Sequence, residues 1–427
     1  MKILEQADIY LEGFGIPKIP VSFRIIQEMG HHAQLKIHVW VEKEESDSIL
    51  ARIPYGKPII LKDKGLYSKP LFCGIIDKAH LGKVNGRLTA ELEAYSCSYE
   101  MDREQKDCSY QKKERTKQEL AVLLLSKYDG ACTWDSPESN DAAGEFLMQY
   151  HETDWEFLKR IASKDGCAIF PELCVPRAEI YIGLPQNREI TKLTTKGYSR
   201  HSYMDGDLGQ TEYIVQGCYE DIPMGSPVHF LELELYVYKK DSYLDKGLVY
   251  HDYVLRPASG CSPASHWMEK EIKNPQMVGA AIPGTVLGSN AAMTQLALST
   301  DMEGEHADSW HTRAVYYSGK GKGYSGRPEV GDIQYVYFPD MDESNRYIIG
   351  GSGANFEKLS EMIQEIVSKQ ADRKTKEETK GVTKKCTKEQ ELGDTMWSEH
   401  VPFRYRSAFF NQWKERKIKL NPRRDRI

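Results

Sequence analysis

The sequence predicts a mainly β fold with inserted helices, an α+β class built from successive β-barrel units. Three observations carry that prediction. Apolar and polar residues alternate with period two through many segments of the first 350 residues, the mark of half-buried strands. Helical spacing appears there in only two bounded stretches. Residues 278–352 break into five short strands punctuated by Gly, Pro, Asp and Asn, which fits a small barrel of the OB type.

Taken in order, residues 1–100 form a first β-barrel unit. "AQLKIHVWVE" alternates Leu35, Ile37, Val39 and Val41 with polar neighbours, and "KPLFCGIIDKA" and "GRLTAELEAYSC" are further strands. Residues 101–145 are a helical insertion. Thr116 and Glu119 make a T-x-x-E capping box, Leu120, Leu123 and Leu124 share a face, and Gly130 closes the end. Residues 146–276 form a second β-barrel unit that opens with "MQYHETDWEFLKRIASKDGCAIF". There Thr153 is an N-cap, Glu156 its reciprocal partner, and Asp154 a negative charge at the positive helix end. Trp155, Leu158, Ile161 and Ala162 fall on one side, and Gly166 stands at the left-handed C-cap, so the helix spans about 154–165. Strands resume in "AEIYIG", "TEYIVQGCYE", "HFLELELYVYKK" and "GLVYHDYVLRP". The OB-type unit occupies 277–353 and a helix 354–370, with Phe356, Leu359, Ile363 and Ile366 stepping by three and four. A charged linker fills 371–395, and a basic aromatic tail fills 396–427.

A chain of 427 residues implies two to four domains, and 40% apolar with 10% aromatic residues exclude global disorder. No apolar run approaches the ~18 residues needed to span a bilayer, and "MKILEQADIYLEG" lacks the long apolar core of a signal peptide. Nine scattered cysteines read as reduced thiols of a protein made in the cytosol, without zinc-site spacing. The net charge of −6 conceals an asymmetry. Residues 396–427 hold nine Lys/Arg against three Asp/Glu and residues 371–395 seven against six, which leaves −13 for residues 1–370. An acidic body carries a basic end, which suits a segment that docks on an acidic partner.

The chemical signals are weak. Gly321, Gly323 and Gly326 match G-x-G-x-x-G by letter, but a strand follows where a dinucleotide site needs a helix, so the stretch reads as an inter-strand loop. His306 and His311 read as exposed loop histidines rather than a zinc pair, and Asp340, Asp342 and Glu343 as a polar hairpin tip rather than a calcium loop. Tyr316, Tyr317, Tyr324, Tyr335 and Tyr337, with Arg313, Lys320, Lys322 and Arg327, keep a nucleic-acid groove open as a minority reading.

Two phrases in the right order point to a family. "FLMQYHETDWEFLKRIASKDG" resembles the Gln-Tyr-x-Glu-Thr-Asp, Phe-Leu and helix-ending Gly of tail-hub proteins of contractile injection systems, the VgrG spikes of type VI secretion and the late-control-D hubs of contractile phages. About 180 residues on, "GKGYSGRPEVGDIQYVYFPDMDESNRYIIGGSG" resembles that family's Gly-rich loop, Pro-x-Val-Gly-Asp, acidic turn and final strand; "KPLFCGIIDKAH" is similar to its first barrel. The resemblance spans residues 1–353 and implies two hub-type β-barrel domains followed by an OB-fold β-barrel. It makes Gln149, Tyr150, Glu152, Thr153, Asp154, Phe157, Leu158 and Gly166 architectural in the second barrel. It gives the same role in the OB barrel to Pro328, Val330, Gly331, Asp332, Tyr347 and Gly350.

What the resemblance implies is a non-enzymatic homotrimer adapting a six-fold tail tube to a three-fold spike. It would be synthesised in the bacterial cytoplasm and assembled into the baseplate of a phage-tail-like particle. Its partners would be its own copies, the tail-tube protein, baseplate components and a separate spike, tip or effector protein; no cofactor, catalytic residue or metal ligand is expected. The family's repeating β-helix spike is missing after Gly353. Trp397, Phe403, Tyr405, Phe409, Phe410 and Trp413 in the tail are candidate docking residues instead. The alternative is an OB-fold oligonucleotide- or oligosaccharide-binding protein with a β-rich accessory region. A fused cell-wall hydrolase would need a paired-carboxylate cleft, and residues 354–427 are too short to fold one.

Overall fold

Alternating sequence becomes extended chain along most of the molecule. The computed structural model describes residues 4–13, 18–43, 58–64, 70–135, 137–185, 188–193, 197–205, 208–257, 271–302, 307–314 and 327–350. The first region holds β1 (Ile9–Glu12), β2 (Pro20–Glu28), β3 (Gln34–Trp40), β4 (Pro58–Asp63), β5 (Pro70–Val84) and β6 (Arg87–Ser96). A 3-10 turn, Cys97–Asp102, leads to β7 (Lys106–Tyr110), α1 (Lys117–Ser126), β8 (Ala131–Asp135), β9 (Leu147–Glu152), α2 (Asp154–Ser163), β10 (Ile169–Pro171) and β11 (Glu179–Gly183). Next come β12 (Thr191–Lys192), β13 (Tyr198–Asp205), β14 (Leu208–Cys218), β15 (Pro227–Phe230), β16 (Leu233–Asp245) and β17 (Leu248–Pro257). The last group is β18 (Ala281–Ser289), β19 (Met293–Leu298), β20 (Trp310–Thr312), β21 (Ile333–Tyr337) and β22 (Tyr347–Gly350). The mainly β class with inserted helices holds, and no described helix is long and apolar enough to cross a membrane.

One twelve-stranded sheet takes in strands of both large β regions. Its path runs β1-β4-β5-β6-β3-β2-β16-β17-β14-β13, with β15 beside β16 and β12 beside β15. The join is the antiparallel pair β2–β16, from Lys239↔Glu28 to Tyr243↔Arg24. The barrels expected from sequence therefore take a connected form, and among the described residues no sheet closes as a fully paired barrel. The first six strands still wrap a core, because Leu11 bridges Lys18 two residues before β2. Ile9, Leu11, Ile37, Leu61, Phe72 and Leu92 fill that core, each contributing ~1.5–3 kcal/mol by leaving water. Gly74 lets β5 close on β6: a Cβ there would stand 2.1 Å from the Tyr95 carbonyl oxygen. Val215, Val228, Leu235 and Leu255 make a second core under β14–β17. Leu120, Leu124, Phe157, Leu158 and Ile161 make a third between α1, α2 and the sheet β10-β11-β8.

The five-stranded sheet runs β20-β19-β18-β21-β22. It bends until its ends meet: Arg313, one residue past β20, bridges Ile348 in parallel, and the Ala314 N–H donates to the Ile348 carbonyl at 2.9 Å. Ile282, Val286, Leu296, Val336 and Ile348 point inward, and Phe146 and Met148 pack into the same core from β9 and its approach.

Two local expectations change. "HFLELELYVYKK" is not one strand; the chain turns at Leu231 and Glu232, both at positive φ (51° and 59°), to pair β15 with β16. At the end of α1 it is Asp129, at φ 50°, rather than Gly130 that takes the left-handed conformation. The sequence-predicted helix at 354–370, the linker, the tail with its six docking aromatics, the Gly321–Gly326 loop and His306 lie outside the described residues.

Candidate functional site

The phrase Gln149–Asp154 and the helix that follows it form a buried polar junction. β9 pairs with β7 until a register shift leaves Asp107 opposite Tyr150 and His151. His151 takes φ +49° there, and its N–H donates to Asp107 Oδ1 at 2.7 Å. Residues three apart on a regular strand point to opposite faces; this bulge re-aims the chain so that Gln149 and Glu152 are both buried.

Thr153 then caps α2 as its spacing predicts. Its Oγ1 accepts from the Glu156 N–H at 3.1 Å, and Glu156 Oε2 accepts from the Thr153 N–H at 3.0 Å. The same Oγ1 donates to Asp102 Oδ1 at 2.5 Å, tying the helix start to the 3-10 turn after β6. Gly166, at φ +69°, ends the helical turn. Phe157 and Leu158 are fully buried in the third core, Phe157 stacked on Tyr110 at 5.2 Å.

Asp154 is completely buried. Its carboxylate accepts from Lys106 Nζ (2.6 Å), Tyr128 OH (2.7 Å) and Gln149 Nε2 (2.9 Å). Burial is the largest single influence and pushes the carboxyl up, but Lys106, Gln149 and Tyr128 together hold it below its ordinary value. Gln149 also donates to the Glu152 carbonyl at 3.1 Å and accepts from Tyr110 OH at 3.1 Å. Gln149, Thr153 and Asp154 thus commit their polar side chains inside the fold, while His151 stays exposed.

Arg160, 2% exposed, is the centre of the second half. It donates to Glu152 (2.7 and 2.9 Å), to the Met148 carbonyl (2.7 Å) and to Glu343 (3.0 Å), which also accepts from Lys164 Nζ at 2.5 Å. Glu343 comes from the turn between β21 and β22, 183 positions away. The two carboxyls part ways: burial raises Glu152 above its usual range despite Arg160, whereas Arg160 and Lys164 together overcome burial and lower Glu343. Asn274 adds a further tie, donating to the Tyr150 carbonyl at 2.8 Å. On the opposite side Lys159 Nζ donates to the Gly30 carbonyl (2.8 Å), and the His32 ring lies 4.1 Å from Trp155. α2 therefore holds the first β region, β7 and the small sheet to one another.

The second predicted group lies in the small sheet. Pro328, Val330, Gly331 and Asp332 form the turn into β21, with Gly331 at φ +98° and the Glu329 N–H donating to Asp332 Oδ2 at 2.9 Å. Tyr347 lies 5.4 Å from Tyr337, and Gly350 is in register with Gln334. Glu343 is what joins the two groups, and sequence reading placed it in a polar hairpin tip; only the neighbouring Asp340 and Asp342 cap that turn. His311 is a correction. It is 1% exposed, not a surface loop residue, because β20 points it inward beside Phe146. Its Nδ1 accepts from Arg346 Nε at 2.9 Å, and burial with that cation lowers it to about 3. Arg313 is buried as well, its guanidinium donating to the carbonyls of Asn290, Ala291 and Met293.

No protein-family model matches this sequence. No curated protein matches it. Solved structures do match the fold. One is the E. coli c3393 protein, a component of the type VI secretion system described as structurally similar to the T4 bacteriophage tail proteins gp27 and gp5. It superposes with a TM-score of 0.57 at 12% identity, over 81% of this chain and 99% of that one. A second is the half-lidded Francisella PdpA–VgrG complex, with a TM-score of 0.51 at 8% identity over 81% of this chain and 78% of that one. At such identities a likeness speaks for the fold, and it is the fold of the family that the two sequence phrases resemble. This chain has the tail-hub fold.

Proposed function

We propose that the protein is a non-enzymatic, homotrimeric hub at the base of a contractile, phage-tail-like injection machine. In this reading three copies adapt a six-fold tail tube on one face to a three-fold spike or cargo on the other. The observation that supports it most is the fold shared with a type VI secretion component over 81% of the chain. The junction agrees with an architectural role, since Asp154, Glu152 and Glu343 spend their charge on internal partners. The division into 1–100, 101–145, 146–276, 277–353, 354–370, 371–395 and 396–427 belongs to the same proposal. So do assembly into a tail-like particle, partnership with tube, baseplate and spike or effector proteins, and docking by residues 396–427.

Light scattering on the purified chain tests the trimer. A species near three times 48.8 kDa is expected; a monomer at high concentration counts against the hub. Deleting residues 396–427 is expected to leave the trimer whole and abolish assembly with its partner, and unchanged assembly would remove the docking role. The oligonucleotide-binding alternative has lost Arg313 to the inside of the fold.

A further inference from the structure

A cavity of about 510 Å³ opens where the two large β regions meet. It sits on their join, since Gln27 of β2 and Lys240 of β16 pair in register and both line it. Leu71, Leu173, Phe170 and Tyr181 supply an apolar wall, the two rings stacked 5.5 Å apart. A cleft of this size at the meeting of two regions, with apolar walls and a few converging polar groups, is the usual form of a ligand site. Gly225, at φ +71°, shapes it: a Cβ there would stand 2.9 Å from the Phe170 ring, so glycine lets its loop press against that ring. The residues on either side of it, Met224 and Ser226, hold Arg188, whose Nη1 donates to the Met224 carbonyl and, at 3.3 Å, to Ser226 Oγ. The Arg188 guanidinium also lies over the Tyr181 ring, 5.0 Å from its centroid.

What is left over on Arg188 is its other edge. Nε and Nη2 form the fork that matches a carboxylate with two parallel N–H bonds. Arg24, Arg160, Arg177 and Arg256 each give that edge to a carboxylate, of Asp241, Glu152, Glu179 and Glu212 respectively. In Arg188, which lines the cavity, the edge has no hydrogen-bond acceptor among the described residues. Glu172 Oε2 stands 3.9 Å from Nη2, beyond hydrogen-bond reach, and Glu172 Oε1 already accepts from the Leu173 and Cys174 N–H groups. Lys240, by contrast, is satisfied by Asp221. We propose that the cavity binds a monocarboxylate with an apolar body, the carboxylate gripped by Nε and Nη2 of Arg188 and the body lying against Phe170 and Leu173. Charge narrows the class. Three carboxylates, Glu172, Glu189 and Asp221, line the cavity against two cations, so a multiply charged anion such as phosphate is repelled. A free small acid and the C-terminal residue of a peptide share the chemistry required. The site goes beyond the hub reading and does not depend on it.

Isothermal titration calorimetry on the full chain tests this with N-acetylphenylalanine and with the matching amide, which has the same ring but no carboxylate. The acid should bind saturably, and the amide about tenfold more weakly or worse. That comparison is made on the wild type and stands whether or not a variant folds. Arg188→Leu, checked for folding by far-UV circular dichroism, should reduce acid binding to the level of the amide. Arg188→Lys, which keeps the charge without the fork, should fall between the two. Acetyl-Ala-Ala-Phe then identifies the source: tighter binding than the single residue assigns the cavity to a peptide C-terminus, and equal or weaker binding assigns it to a free acid. The proposal is overturned by no saturable binding of the acid, by equal binding of acid and amide, or by an acid affinity that survives Arg188→Leu. Displacement of the acid by an equal concentration of phosphate overturns it as well.

Discussion

The twelve-stranded and the five-stranded sheet treat their outer faces in opposite ways. One row across β2, β3, β6 and β5 of the large sheet reads Arg24, Lys36, Glu93, Lys78. Its members pair across strands, Lys36 with Glu93 at 3.1 Å and Arg24 with Asp241 at 2.9 Å. The equivalent row across β22, β21 and β18 of the small sheet reads Ile349, Tyr335, Pro283. The large sheet presents a surface that water can solvate; the small one keeps its charges for the inside, where Arg346 faces His311 and Glu343 faces Arg160. A strand pattern shows that one face is buried. Whether the second is also meant to be covered is read from its charge.

The sharpest way to break that contrast is at the joint between the sheets. Arg160→Leu removes the cation shared by Glu152 and Glu343 and leaves two buried carboxyls facing one another. Losing one partner of such a buried pair costs about 3–5 kcal/mol, so the urea midpoint should fall steeply. A change under ~1 kcal/mol, the scale of an exposed pair, would mean that the junction is not what fastens the small sheet.

Next in size is a pH effect at His311 in the small sheet. His311 Nδ1 accepts from Arg346, so the imidazole is neutral in the folded chain, and it is lowered to about 3 from an ordinary 6.5. Between those values the unfolded chain binds a proton that the folded chain refuses. The contribution is therefore complete above about pH 6.5 and is lost as pH falls toward 3, about 2 kcal/mol of it between pH 7 and pH 5. Unfolding followed at a series of pH values should show a steeper slope in the wild type than in His311→Gln, the remainder including His251, which burial lowers to about 4; an equal slope in both would clear His311 of the effect.

A smaller effect is expected at the start of α2. Thr153→Ala removes the cap and should cost about 1 kcal/mol, most of it restored by Thr153→Ser. Failure of serine to restore it would show that the Thr153 methyl, not the hydroxyl, matters.

How much of this was legible follows from how local each cause is. Both capping boxes lie within four residues, Thr116 with Glu119 and Thr153 with Glu156, and both were read from sequence. The strands "AQLKIHVWVE" and "GLVYHDYVLRP" were equally plain, because alternation is a local property. The turn at Leu231–Glu232 was not, since such tight turns usually announce themselves with Asn or Gly and this one carries neither. Arg160 was beyond reach, because its partner Glu343 is 183 positions away in a turn that looks like any polar loop. His311 was misread for a related reason: its short strand is flanked by Asp308 and Arg313, so the stretch looks like surface until Arg346 and Phe146 close over it. The uncharged outer face did leave a trace, since "YVYF" and "YIIGG" carry no charge in either phase of the strand.

The least effect belongs to the charged face itself. Arg24 offers the best geometry there, with Nε 2.9 Å from both Asp241 carboxylate oxygens. Its side chain is nonetheless 59% exposed, against 15% for Asp241, so water competes for the guanidinium and salt screens the pair. A double-mutant cycle with Arg24→Gln and Asp241→Asn should return a coupling of only ~0.2–1 kcal/mol, shrinking further in high salt. That small figure is what separates the two sheets: a face held by such pairs can lose them and stay soluble and folded. If the coupling instead approached the ~3–5 kcal/mol of a buried pair, Arg24 and Asp241 would have to be shielded from water in the assembled protein. The large sheet would then be covered by another chain.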